Sequence, residues 1–265
     1  MENLPPHPKR HFFRSEISSR CYLISDRKLT GGSVGSGGVP KHLVAIPDGN
    51  RRWAKKRGEV PWEGHREGVK KFWEVCEEAF QMGVPYFTFW AASEDNLKKR
   101  SRREVNFLVL LLRKEVFDKS LFARLEKDEV KFRVFGRWNE ILKDKKLEEA
   151  IRDLEKKTAK FKKHNLTILF GYDGKQEMME AIELLKKEKT VTYEKVKSAL
   201  WTGDLPAVDY VIRTGGEPHW SAGFMMWLTA DSQFYFTEKL WPEFGVSELH
   251  KALEDYSGRE RRMGK

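Results

Sequence analysis

Cysteine is scarce: the 265 residues contain two, Cys21 and Cys76, in unlike surroundings and with no CxxC spacing. That scarcity argues against a disulfide framework or a cysteine-built zinc site and predicts free thiols in a reducing compartment. Long apolar runs are missing as well. The longest, Phe107 to Leu112, falls far short of the ~18 residues a membrane span needs. Met1 to Arg20 is too polar for a signal peptide. No strand candidate is followed by GxGxxG, which argues against a dinucleotide fold of the usual kind, and no internal repeat is visible. Together these absences predict a soluble, cytoplasmic protein.

Apolar and cationic residues are plentiful. Nine Trp and 17 Phe can supply a sizeable core. The formal charge of +10 favours anionic partners, whether nucleic acid, acidic lipid or phosphorylated small molecules, and charge alone does not choose among them. Residues 1–41 read as a basic leader ending in a Gly-rich linker. The run from Gly31 to Gly38 follows no strand and lacks the Gly-Lys-Ser/Thr ending of a phosphate loop. The leader is compatible with peripheral contact with an anionic membrane, though nothing in it requires that. Residues 42–265 read as a single domain.

Short apolar or aromatic runs at 43–46, 86–90, 130–135, 166–170, 208–212 and 234–236 predict six strands. Between them, helical spacing marks 69–80 (closed by Gly83), 105–125, 143–163, 177–185, 193–200 and 246–256. In the 177–185 segment Met178, Ala181, Ile182 and Leu185 should face inward. The 105–125 segment is apolar all round in its middle, so it is buried on several sides or lines a greasy cavity. Strands alternating with helices predict an α/β fold: a mostly parallel six-stranded sheet flanked by helices.

The most unusual string runs from His42 to Trp53. Leu43 to Ile46 is a buried strand, Pro47 ends it, and Asp48-Gly49-Asn50 turns the chain toward Arg51, Arg52, Lys55, Lys56 and Arg57. One carboxylate at a strand's carboxyl edge, facing cations, suits Mg2+ held between protein and phosphate. Polar residues gather at other strand ends too: Ser93 to Asn96 with Lys98 and Lys99, Asp173 with Lys175, and Arg213 to Glu217. His65, after Gly64 at the opening of the first long helix, could donate to a phosphate there.

Several strings carry a resemblance: His42 to Ala54, Gly64-His65, Ser93-Glu94-Asp95-Asn96, Gly171-Tyr172-Asp173-Gly174, Val211 to Glu217 and Phe234 to Phe244. A terminal Arg261-Arg262-Met263-Gly264 adds to them. In this order the chain resembles the cis-prenyltransferases, the family of undecaprenyl and dehydrodolichyl diphosphate synthases. The resemblance implies that fold, with a hydrophobic tunnel between the helices at 69–82 and 102–125. It implies Mg2+-dependent joining of an allylic prenyl diphosphate to isopentenyl diphosphate with a Z double bond. Asp48, with Asn50, Arg52 and His65, would then manage the departing diphosphate. Gly49, Arg51, Trp53 and Lys99 would help bind substrate, while Ser93 and Asn96 would assist near the reacting centre. Arg213, His219 and Ser221 would bind the C5 diphosphate. Arg262 and Gly264 would complete the neighbouring subunit's site, which implies a homodimer.

This chain departs from the family pattern in ways that bear on chemistry. His219 stands where a second arginine is usual, and one extra residue lies between Ser221 and Trp227. Gln233 replaces a glutamate that serves as a Mg2+ ligand, Pro61 replaces an arginine, and Lys99 occupies another arginine position. A member that takes dimethylallyl diphosphate as acceptor, giving irregular lavandulyl-type products, is therefore the alternative. A non-catalytic partner subunit ranks lower because Asp48 is present. Nucleic-acid binding ranks lowest, since no RNP, KH or zinc pattern accompanies the basic charge.

Overall fold

Alternation along the first strand decides the layering. In the computed structural model, which describes residues 38–259, Leu43 and Ala45 of β1 (His42–Ile46) point to one face, and Val44 and Ile46 to the other. All five residues are buried. That is the pattern of a strand covered on both sides. The Gly31 run up to residue 37 lies outside the described residues, as do Cys21, Arg262 and Gly264. Cys76 is a free, buried thiol, and burial raises its pKa well above the usual thiol value.

The chain continues through α1 (Asn50–Lys56), α2 (Pro61–Gln81), β2 (Tyr86–Ser93), α3 (Glu94–Lys99), α4 (Arg102–Val116) and α5 (Lys119–Lys127). Then follow β3 (Val130–Phe135), α6 (Trp138–Leu142), α7 (Lys145–Thr158), β4 (His164–Tyr172), α8 (Gly174–Leu185) and α9 (Tyr193–Ala199). β5 (Tyr210–Arg213), β6 (Gln233–Phe236) and α10 (Val246–Gly258) complete it. The sheet order is β3-β4-β2-β1-β5-β6, and every neighbouring pair is parallel. The expected α/β class and six strands are therefore present. β1 lies between β2 and β5, so the chain leaves it in opposite directions, which opens a crevice at its carboxyl end.

Helix boundaries differ from the periodicity reading in informative ways. The 105–125 segment is two helices, because the Asp118 carboxylate accepts from Ser120 N–H and starts α5 afresh. α2 starts at Pro61, one turn before His65, since proline's fixed φ suits a first helical turn. In α8, Glu177 and Ala181 turn inward, whereas Ile182 is exposed together with Met179 and Leu184.

Packing brings α1 against α2 more closely than side chains would allow. A Cβ on Gly64 would lie 1.9 Å from the Asn50 carbonyl oxygen, and one on Gly68 would lie 2.5 Å from Asn50 Oδ1. Trp241 Nε1 then donates to the Gly68 carbonyl at 2.8 Å, tying the segment after β6 onto α2. Buried histidines brace the sheet. His42 Nδ1 donates to the Pro206 carbonyl at 3.0 Å, and its Nε2 accepts from the Thr88 hydroxyl at 2.8 Å.

Candidate active site

Asp48 is held by its backbone before its side chain does anything. Its carbonyl accepts from Trp241 N–H at 3.0 Å and from the Thr214 hydroxyl at 2.8 Å. Gly49 then bends back with φ 107°, where a Cβ would sit 2.7 Å from Leu240 Cδ2. The carboxylate therefore projects from the sheet edge, 37% exposed, with Oδ1 3.2 Å from Arg52 Nη2 and Oδ2 3.5 Å from Arg213 Nη2.

Arg213 ends β5 level with Ile46, and that register brings it to Asp48 across 165 residues of sequence. Its Nη1 donates to the His219 carbonyl at 2.7 Å and to Ser221 Oγ at 2.8 Å, and Ser221 Oγ lies 2.9 Å from His219 Nε2. Burial lowers the Arg213 pKa, and Asp48 and Glu217 oppose that. The turn bearing the extra residue is pinned from below. Gly174 N–H donates to the Ala222 carbonyl, and Met225 N–H to the Tyr172 hydroxyl at 3.2 Å. Tyr172 in turn donates to buried Glu177 at 2.5 Å. The Gly171 to Gly174 string thus acts as a support for the Ser221 turn.

On the other flank His65 and Arg100 meet a buried acid. His65 Nε2 is 3.1 Å from Glu104 Oε1, and Arg100 Nη1 donates to the same oxygen at 3.0 Å. Arg100 Nη2 donates to Asn96 Oδ1 at 3.0 Å, while Asn96 N–H donates to Ser93 Oγ at 3.0 Å. Ser93 and Asn96 form the reciprocal cap of α3, so they fix the helix from which Arg100 reaches inward. Burial lowers the His65 pKa, and the hydrogen bond to His65 leads the lowering at Glu104. His65 is therefore a neutral ring near pH 7.

Between Asp48, His65 and Arg100 lies a polar cavity of about 480 Å³, walled also by Asn50, Arg51, Arg52 and Lys55 among others; Arg213, Ser221, Ser93, Asn96 and Glu104 are not in its wall. Behind it lies an apolar cavity of about 110 Å³ bounded by Phe72, Trp73, Phe89, Leu108, Leu112 and Phe132 among others. Pro47, Asn50 and His65 wall both. An anionic head and a greasy tail could thus be bound side by side.

Not every expected residue joins this site. Lys99 is exposed and paired with Asp95 at 2.7 Å, whereas Arg100 enters the cavity. Trp53 is half-buried under the Arg57 guanidinium, 4.0 Å from its ring centre. Gln233 is level with Tyr210, three residues before Arg213, and so about 10 Å back along the strands from the Asp48 edge. Its Oε1 is buried without a partner among the described residues, and the parallel register does not bring it to Asp48 within one chain. Arg262 and Gly264 lie beyond the described residues. Arg100 and Glu104 carried a signal that pattern reading passed over: Ser101-x-x-Glu104 is a helix-start spacing, and Arg100 is four residues before that acid.

Among the described residues no cluster of three or more His, Cys, Asp or Glu could hold a metal by itself. The donor set still fits Mg2+, which takes one or two carboxylates and fills its remaining positions with water and phosphate oxygens. Asp48, partly exposed in a roomy cationic cavity, fits that role, and among the described residues Glu59 is the other carboxylate in the cavity wall.

The undecaprenyl diphosphate synthase family model matches residues 46–264. An isoprenyl transferase of Thermus thermophilus is 35% identical over 261 residues, covering 94% of this chain and 97% of that protein. One from Fusobacterium nucleatum is 38% identical over 228 residues, covering 85% and 96%. The crystal structure of lavandulyl diphosphate synthase from Lavandula x intermedia, in complex with dimethylallyl diphosphate, superposes with a TM-score of 0.78 at 29% identity. It covers 86% of this chain and 99% of that one. With the parallel sheet and the cavity at its carboxyl edge, these likenesses show that the chain belongs to the undecaprenyl diphosphate synthase (cis-prenyltransferase) family.

Proposed function

We propose that this prenyltransferase condenses an allylic prenyl diphosphate with isopentenyl diphosphate, with Mg2+, in isoprenoid lipid synthesis. The observation that carries the reading is the pairing of a cationic cavity around Asp48 with an apolar cavity behind it. The allylic diphosphate would sit against Arg51, Arg52 and Arg100, with its hydrocarbon passing Asn50 and His65 into the apolar cavity. Mg2+ on Asp48 would supply further positive charge to the diphosphate oxygens. The arginines stabilise the charge that develops as the carbon–oxygen bond loosens toward an allylic cation. Arg213, His219 and Ser221 would hold the C5 diphosphate so that its double bond faces that carbon, after which the adduct loses a proton. Ser93 and Asn96 act in this reading by positioning Arg100.

Exposed Met179 and Ile182, one turn apart on α8, support a homodimer. A dimethylallyl diphosphate acceptor is the second reading. It is supported by the ligand in the lavandulyl diphosphate synthase structure and by His219 in place of an arginine. A product assay tests both. The purified chain is given geranyl or farnesyl diphosphate with each C5 diphosphate, with Mg2+ or a chelator, and products are read by mass spectrometry. Elongation with isopentenyl diphosphate that fails in chelator supports the first reading, and coupling of dimethylallyl diphosphate alone supports the second. No product in any arm would remove both. Asp48→Ala should lower turnover by about 10²-fold or more.

A further inference from the structure

The two sides of α4 face different surroundings. Leu108, Leu111, Leu112 and Val116 line the apolar cavity. On the opposite side, helical spacing aligns Arg103, Phe107, Leu110, Lys114 and Phe117, the last capping the helix. Leu110 is 58% exposed and Phe117 48%. Phe107 is half-buried beside Trp62, with the Arg66 guanidinium 5.7 Å from its ring centre. Val60, two residues before Trp62, is exposed as well.

Charge on this face is mainly positive. Arg102 and Arg103 are exposed with no ion pair among the described residues, and exposed Lys114 faces Asp118 one turn on. Arg113 reaches Phe117, 5.2 Å from its ring centre, while pairing with Asp144. Apolar side chains interleaved with exposed cations suit the boundary between water and acidic lipid, where the rings and Leu110 enter the headgroup layer and cations meet phosphates.

We propose that the outer face of α4, with Leu110 and Phe117 flanked by Arg103 and Lys114, docks this protein on an anionic bilayer. The inference rests on the prenyltransferase reading above for its purpose. The same helix would separate the cavity holding a growing isoprenoid from the membrane that receives it.

Vesicle co-sedimentation of the full chain tests this apart from activity. The probes are vesicles with about a quarter phosphatidylglycerol in phosphatidylcholine, and vesicles of phosphatidylcholine alone. The parent should bind the anionic vesicles, and less so as salt rises. Leu110→Ser with Phe117→Ser, and separately Arg103→Glu with Lys114→Glu, should each weaken binding about tenfold or more. The charge-reversal pair touches no packed side chain, so it covers a failure of the first pair to fold. Residues 1–41 are present in every variant. The proposal is overturned if the parent shows no preference for anionic vesicles, or if both pairs bind like the parent. It is also overturned if light scattering shows the substitutions splitting an oligomer, which would mean a second copy covers this face. Vesicle binding that behaves as expected in a protein without condensation activity would sink the prenyltransferase reading and leave this one standing.

Discussion

Arg100 shows how much one side chain can depend on its neighbours here. It donates to Asn96 and Glu104 while lining the cavity beside Arg51, so its planar fork is held before any ligand arrives. Arg100→Ala should raise KM for the allylic diphosphate by about 10- to 100-fold, the usual worth of a charge-assisted contact. Arg100→Lys should recover only part of that, because an ammonium cannot reach both acceptors and a phosphate together. Steady-state kinetics with a melting-temperature control would check both. Gly49 is constrained by space and conformation at once. With φ 107° and Leu240 at 2.7 Å from any Cβ, Gly49→Ala should destabilise the fold by about 1–3 kcal/mol and misplace Asp48. A urea midpoint unchanged in the variant would contradict that.

At the scale of elements, α2 and α4 set how much hydrocarbon the apolar cavity can take. Trp73 is eight residues along α2 from His65, or about 12 Å from the polar end. Its Nε1 donates to Glu115 of α4 at 2.7 Å, and the Arg124 guanidinium covers the ring 4.4 Å from its centre. That latch joins the two helices across the deep part of the cavity. A space of about 110 Å³ is smaller than the 150 Å³ engineered cavity that admits benzene, so a long tail needs the latch to yield. Trp73→Ala should therefore shift products toward longer chains by at least one C5 unit, as read by mass spectrometry. Unchanged chain length would show that the limit lies elsewhere.

At the scale of the whole molecule, stability should fall in mild acid. Burial lowers the His42 pKa from 6.5 to about 4, because a proton would add a poorly solvated charge, and the Pro206 carbonyl and the Asp209 carboxylate only partly oppose this. The unfolded chain takes that proton at its ordinary pKa, so protons favour unfolding. The contribution is fully present above pH 6.5 and is lost as pH falls through that value toward 4, amounting to about 3 kcal/mol. Burial lowers His65 and His164 in the same direction. Urea midpoints between pH 7 and 4 should show the loss, and His42→Asn should show a shallower slope from a lower starting stability.

What the sequence determined by itself was the class of fold and the chemical character of the site. Local alternation and helical spacing are short-range properties, and the strings around Asp48, Arg213 and Trp241 lie in continuous stretches, so both were legible. The break at Asp118 was not, because apolar residues continue across it while a side-chain cap restarts the helix. Tertiary structure alone decided which cations converge. Arg100 rather than Lys99 enters the cavity because the α3 cap and Glu104 orient that residue, and neighbouring residues on a short helix point in different directions. Gln233 likewise sits away from the Asp48 edge because the parallel β5–β6 register, a pairing between strands distant in sequence, sets its height in the sheet.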